Sequence, residues 1–263
     1  MKILTLVLSM LMTVSLTACD TSSPQSSNNS PPTVVSLETT DGAGGGNDGS
    51  AIQYTVGDII LADGTVITAA EFTVVDSANP PMAVIAGTRD DGSFFGVGVH
   101  RSSTALQWAP SGTTGNSAKF TETICTDSSA GDADGSDNWD VICAEDTQGA
   151  LDAEKNYPAF HFVNTYADTF KLPEHYASGW YMPSIAELCT VYENREAINT
   201  SLERIYESDN GASMDGLGTN WYWSSSQSGG SDDYAWFVHY FNGYAADCPK
   251  DFDNLHVLAV RAF

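Results

Sequence analysis

The chain has 263 residues, 34 acidic against 10 basic side chains, a formal net charge of −24 and 42% hydrophobic residues. That apolar fraction supports a packed core rather than disorder, and the length allows one large domain or two small ones. The acidic excess repels phosphate backbones and anionic lipid, which excludes nucleic acid as a partner.

Met1-Lys2, the apolar run from Ile3 to Val14 and Leu16-Thr17-Ala18-Cys19 have the three parts of a secretory signal: a charged start, an apolar stretch and a small-residue cleavage site. The run is too short for a comfortable membrane span, which needs about 20 residues. A cysteine directly after Leu-Thr-Ala resembles a bacterial lipobox. That resemblance implies a signal peptide over residues 1–18, cleavage before Cys19 and a lipid on its thiol. It makes the protein a bacterial membrane-anchored lipoprotein of the outer membrane or cell surface, tied to the membrane through Cys19. Residues 19–50 are rich in Ser, Asn, Pro and Gly and read as a flexible tether, with too little apolar surface to offset the entropy of ordering. Residues 51–263 then form the folded domain.

Tyr54 to Leu61 reads as a strand, turned by Ala62-Asp63-Gly64-Thr65. Met82 to Ala86 is a short buried-strand run. Asp90-Asp91-Gly92 then turns into a strand from Phe94 to Val99, whose glycines permit close backbone approach. Between Cys125 and Cys143 lie Asp127, Asp132, Asp134, Asp137 and Asp140, a solvated acidic loop or a calcium loop. The glycine of Asp132-Ala133-Asp134-Gly135 comes too early for an EF-hand, so no metal or other cofactor is assigned. Beyond Cys19, four cysteines remain: Cys125, Cys143, Cys189 and Cys248. An even number in an exported chain favours disulfides. Of three pairings, Cys125–Cys143 with Cys189–Cys248 is one, and free thiols are the rival.

Pro158 suits the first turn of a helix, and Phe160, Val163, Tyr166, Ala167 and Phe170 recur at helical spacing up to a stop before Pro173. Ser184 with Glu187 three residues on is a capping box, opening a second helix with Ile185, Leu188 and Tyr192 inward. A further helical stretch runs from Arg195 to Tyr206. Strands return at Trp221 to Ser226, at Tyr234 to Tyr240 and from Leu255 to Phe263. Alternation puts Ala235, Phe237 and His239 on one face and Trp236, Val238 and Tyr240 on the other, so one aromatic face is expected to be exposed. Strands, then helices, then strands give an α+β domain.

Gly179-Trp180-Tyr181-Met182-Pro183-Ser184-Ile185-Ala186-Glu187-Leu188 resembles the Gly-Trp-Arg-Leu-Pro-Thr-Xaa-Xaa-Glu-Leu signature of the Lcl C-terminal domain family. Tyr222-Trp223-Ser224-Ser225-Ser226, Ala235-Trp236, Asn242-Gly243 and Val260-Arg261-Ala262-Phe263 follow its later blocks in order. The stretches Val56 to Thr65 and Gly98 to Trp108 resemble the amino-terminal part of such domains. The resemblance implies a C-type lectin fold of the formylglycine-generating-enzyme type, with two helices and antiparallel sheets. The carboxy-terminal pattern also resembles variable lipoproteins diversified by retroelements, in which a fixed frame carries randomised surface positions. In that resemblance the varied, ligand-binding positions are Phe237, His239, Tyr240, Asn242, Tyr244, Asp247, Phe252, Asp253, Asn254, Leu255 and His256.

The residues themselves agree with a binding surface. Aromatics supply rigid contact area while Asn and Asp supply adaptable hydrogen bonds, as in antibody paratopes. Trp221, Trp223 and Trp236 read as framework. The expected function is binding of a protein or glycan ligand outside the cell, without catalysis. A carbohydrate-binding adhesin is the alternative, although neither Glu-Pro-Asn nor Gln-Pro-Asp of calcium lectins occurs. A cysteine-dependent oxidase of the formylglycine-generating type needs ionised thiols close together. Cys189 within a helix and Cys248 in a loop do not match that pattern, and the five histidines show no ligand spacing.

Overall fold

Asp63-Gly64 reverses the chain between its first two strands. Gly64 takes a φ of +86°, which side chains with a Cβ resist, and Leu61 N–H donates to the Thr65 carbonyl at 2.9 Å. The computed structural model describes residues 53–126, 132–208 and 216–263. The leader, Cys19 and the tether lie outside the described residues, as does Asp127 of the acidic loop.

Among the described residues ten strands form two sheets. The first has six strands, all paired antiparallel: β1 (Ile59–Leu61), β2 (Val66–Ile67), β3 (Pro81–Thr88), β4 (Phe94–Arg101), β6 (Trp180–Tyr181) and β10 (Leu258–Ala262), in the order β2-β1-β3-β4-β10-β6. The second contains β5 (Ile124–Cys125), β7 (Trp221–Ser228), β8 (Tyr234–His239) and β9 (Tyr244–Pro249), in the order β5-β7-β8-β9. Its β5–β7 pair is parallel and the rest antiparallel.

The described residues hold eight α-helices, where the sequence resemblance led us to expect two: α1 (Thr114–Ser117), α2 (Asn138–Glu145), α3 (Thr147–Ala150), α4 (Ala153–Asn156), α5 (Pro158–Asn164), α6 (Tyr166–Phe170), α7 (Ile185–Glu193) and α8 (Arg195–Ser208). The helix expected up to Pro173 is interrupted at Thr165, whose φ of −100° and ψ of 6° leave the helical region although its N–H and hydroxyl both donate to the His161 carbonyl, at 3.0 and 2.8 Å. Part of the acidic stretch is helical, as α2. The two longest helices are α7 and α8. On α8, Ile198, Ser201, Leu202, Ile205 and Tyr206 are buried at the i, i+3, i+4, i+7, i+8 spacing of one face.

The capping box of α7 is present in both directions. Ser184 Oγ accepts from Glu187 N–H at 3.2 Å, and Glu187 Oε2 accepts from Ser184 N–H at 2.9 Å. Glu187 does more than cap. Its carboxylate also accepts from Gly135 N–H at 3.0 Å and from the Tyr181 hydroxyl at 2.6 Å, and Arg89 Nε lies 3.7 Å away. Arg89 itself pairs with Asp134. The serine run adds further ties: Ser225 N–H donates to the Pro183 carbonyl at 2.8 Å, and Ser226 Oγ accepts from Ile185 N–H at 2.9 Å. The amino-terminal end of α7 is thereby bonded to the second sheet.

Two large apolar clusters flank the strands. From Val257 into β10 the residues alternate: Leu258 and Val260 join the cluster containing α7 and α8, while Val257 and Ala259 join the one containing Trp108, Phe160 and Trp223. The result is an α+β domain with antiparallel sheets and helices packed against them. No disulfide joins any of the four described cysteines, so the expected Cys125–Cys143 and Cys189–Cys248 pairs are not formed. Cys189 packs against the first cluster and Cys248 against the second, which separates them by the sheet.

Candidate ligand-binding surface

The sequence-derived positions lie on β8, β9 and the loop that returns from β9 to β10. In β8, alternation holds: Phe237 and Ala235 enter one cluster, Val238 and Tyr240 the other. Both faces are covered at Ala235, Phe237 and Val238, and on the Phe237 face only His239, at the end of the strand, reaches solvent. Tyr240 is 3% exposed. Its hydroxyl donates to the Leu188 carbonyl at 3.1 Å, and its ring packs against Tyr222 and Tyr192. Burial raises its pKa well above the usual tyrosine range. Phe237 is buried and stacked on Trp221 at 5.1 Å and 3°, and Leu255 is fully buried. These three are corrected from contact residues to core.

The remaining positions reach solvent to different degrees. Tyr244 is 61% exposed, Asn242, Asp253 and Asn254 are exposed, and Phe252 is 39% exposed. His239, Asp247 and His256 are half-buried. Asp247 accepts a hydrogen bond from Ser228 Oγ, and His256 Nδ1 lies 2.9 Å from the Ser102 carbonyl oxygen. Both are therefore engaged inside the fold.

Two further residues complete the surface: Phe241, which the sequence reading passed over, and Trp221, which it took as framework. Phe241, in the β8–β9 turn, is 73% exposed. Trp221 is half-buried and joins the exposed rings together. It lies opposite His239 in the strand register with their rings 4.7 Å apart, and Phe252 sits near-parallel to it at 6.4 Å and 25°. His239 is 6.0 Å from Phe241 and opposite Tyr244 in the β8–β9 register. Phe252, Trp221, His239, Phe241 and Tyr244 thus form a continuous aromatic stripe at one end of the second sheet. Five large hydrophobic side chains are exposed among the described residues, and three of them belong to this stripe. Scattered exposed hydrophobics are ordinary, whereas a cluster marks an interaction surface.

The frame beneath the stripe is rigid. Gly243 takes a φ of +74°, and the Tyr192 ring fills the space a Cβ would need. The turn is closed by Gly243 N–H donating to the His239 carbonyl at 2.8 Å and Tyr244 N–H donating to Asn242 Oδ1 at 3.1 Å. Trp221 is held by its stacking on Phe237 and by His256 N–H donating to its carbonyl at 2.8 Å. Below the loop that carries Phe252, Lys250 is fully buried. Its ammonium donates to the carbonyls of Gly115, Ala118 and Asp232 at 2.9, 2.9 and 2.6 Å and lies 4.8 Å from the centre of the Trp108 ring.

The thiols and acids elsewhere have different surroundings. Burial pushes the Cys189 thiol up to about 11 and the Cys248 thiol up to about 12, so both are protonated at neutral pH. Asp132 accepts from Asn138 Nδ2 at 2.6 Å and from Ser226 Oγ at 2.7 Å, and Asp134 pairs with Arg89. Among the described residues no group of three His, Cys, Asp or Glu side chains converges as a metal site. No helix among them is long and apolar enough to cross a membrane.

No family profile matches the chain, and no curated protein matches it in sequence. In three dimensions it is similar to a fimbrial protein from Bacteroides ovatus ATCC 8483, known from a crystal structure at 1.85 Å resolution. The TM-score is 0.57 at 16% sequence identity, over 80% of this chain and 49% of that one, so the match spans about half of the fimbrial protein's length. At that identity the likeness is one of fold.

Proposed function

We propose that this protein is a lipid-anchored, surface-displayed binding protein whose ligand face is the aromatic stripe of Trp221, His239, Phe241, Tyr244 and Phe252. The observation that carries this reading is the clustering of exposed rings on a braced frame. Aromatic side chains in such clusters supply most of the energy of typical interfaces. The fold shared with a fimbrial protein supports a cell-surface setting, and Cys19 supplies the anchor in this reading.

The scaffold is, in the same proposal, of the C-type lectin type. The sequence blocks that suggest it meet in space: Val260 and Arg261 pair with Tyr181 and Trp180, and the serine block bonds to the Pro183–Glu187 block. The protonated Cys189 and Cys248 thiols favour binding over cysteine-dependent oxidation. If retroelement diversification acts on this gene, it falls on the exposed set His239, Asn242, Tyr244, Phe252, Asp253 and Asn254, because variation at Tyr240 or Leu255 would empty the core. A reverse-transcriptase gene and a near-copy of the 3′ coding end beside this gene are the expected genomic signature.

The test is binding of the full-length chain to arrayed glycans and arrayed proteins, with and without chelator. Phe241→Ala/Tyr244→Ala/Phe252→Ala abolishes the wild-type signal while leaving the melting temperature within a few degrees. Tyr240→Ala instead costs about 3–5 kcal/mol of stability by emptying a buried aromatic site. A triple variant that still binds as the wild type does overturns the assignment.

A further inference from the structure

We infer that the occupant of the aromatic stripe is a cationic segment of a partner protein, one that lays arginine or lysine side chains across Phe241, Tyr244 and Phe252. This rests on the reading of the stripe as the ligand face and names what that face selects.

The argument starts from where the bases are. Of ten, Lys2 lies outside the described residues. Five of the others are turned to internal use. Arg89 pairs with Asp134, and Arg101 donates to the Gly216 carbonyl and the Tyr222 hydroxyl. Arg195 donates to the Tyr192 carbonyl with its guanidinium 4.1 Å above that ring, and Arg261 donates to the carbonyls of Ser178 and His175. Lys250 is enclosed by three carbonyls. Lys119 faces Asp232 at 3.3 Å. The last three, Lys155, Lys171 and Arg204, are exposed on α4, just after α6 and on α8.

The charge next to the stripe in the chain is acidic and comes from the loop that carries Phe252. Asp232 and Asp233 precede the far end of β8 from His239, Asp247 is opposite Trp236 and accepts from Ser228 Oγ, and Lys250 is internal. Asp251 and Asp253 flank Phe252 in the chain, and Asp253 is exposed. Exposed ring faces attract ammonium and guanidinium groups through their quadrupoles, and the methylene stems of those side chains cover apolar surface. A second copy of this chain brings another 24 negative charges and is repelled. Nucleic acid and acidic glycans are repelled for the same reason. Among charged occupants, a basic protein segment is the one whose charge and shape both suit an aromatic stripe on a strongly acidic protein, with Asp251 and Asp253 on either side of Phe252 in the chain.

The experiment measures binding of hexa-arginine, hexa-glutamate and maltohexaose to the full-length chain by calorimetry at two salt concentrations. The expected result is salt-sensitive binding of hexa-arginine alone. It weakens by about tenfold, or about 1.4 kcal/mol, both in Phe241→Ala/Tyr244→Ala and in Asp251→Asn/Asp253→Asn. Glu203→Gln/Glu207→Gln on α8 removes the same charge elsewhere and leaves the affinity nearly unchanged. Equal loss in the α8 variant reduces the effect to bulk charge and overturns the inference. So does hexa-arginine binding that ignores the loss of the rings. If maltohexaose binds through Phe241 and Tyr244 and hexa-arginine does not, the aromatic face stands as the ligand surface and the cationic class falls.

Discussion

Tyr240 and Tyr244 have the same side chain four residues apart, and only one of them meets solvent. Alternation assigns a residue to a face of a strand; it carries no information on whether another element covers that face. The cover over Tyr240 comes from Tyr192 and Leu188 of α7, about fifty positions earlier, which no local pattern in β8 announces. Phe241 was missed for the converse reason: it lies in the turn, outside the alternating run. Lys250 carries no mark of burial in the sequence, yet burial pushes its pKa down to about 7, with Asp232 and Asp233 opposing. Its folded value lies below the ordinary lysine value of about 10.4. Between those two values the unfolded chain holds a proton that the folded chain releases, so this residue's contribution rises with pH across that window and is flat below it. Urea unfolding of the wild type and Lys250→Met therefore gives a stability difference that moves in favour of the wild type from about pH 7 to about pH 9. A difference that stays constant sinks this account of the buried ammonium.

Among the elements, α7 was the most legible, because a capping box is written within four consecutive residues. Ser184 with Glu187 announced the start, and the structure has both hydrogen bonds. The carboxylate's other partners were not legible: Gly135 lies 52 positions away in the chain and Arg89 belongs to the turn after β3. Burial raises the Glu187 pKa, while the hydrogen bonds from Tyr181, Ser184 and Gly135 oppose that rise. Ser184→Ala removes one cap bond and costs about 1 kcal/mol, the usual value for an N-cap. Glu187→Ala leaves several buried donors without an acceptor and costs about 3 kcal/mol or more. Urea denaturation of both variants checks the order, and equal losses would mean that Glu187 only caps. By contrast, α2 was hidden by its acidic surroundings and α5 was drawn too long. Apolar spacing runs on through Thr165 and does not register that the backbone leaves the helical region there.

For the whole molecule, the order of strands and helices gave the α+β class, while the sheet order did not follow from it. Composition pointed to an acidic exterior, and the structure sharpens that: bases are spent on carbonyls and internal acids, leaving the surface more negative than the ratio of residues implies. Such a surface suits a protein held near others at a cell boundary without aggregating. With Cys19 as the anchor, Cys19→Ser transfers the protein from the membrane fraction to the soluble fraction and ends incorporation of labelled fatty acid. Retention of either property by the variant would remove the lipid from the scheme.

One further consequence concerns biosynthesis. Strand β10 lies between β4 and β6, and its residues are shared by both cores. A ribosome that has made everything up to residue 256 has produced a domain lacking the strand that joins β6 to the rest of its larger sheet. The finished packing must wait until residues 257–262 emerge, so a nascent chain stays pliable throughout translation. On the proposed export, that pliability is what a narrow translocation channel requires, and a product terminated before β10 lacks the strand both apolar clusters share.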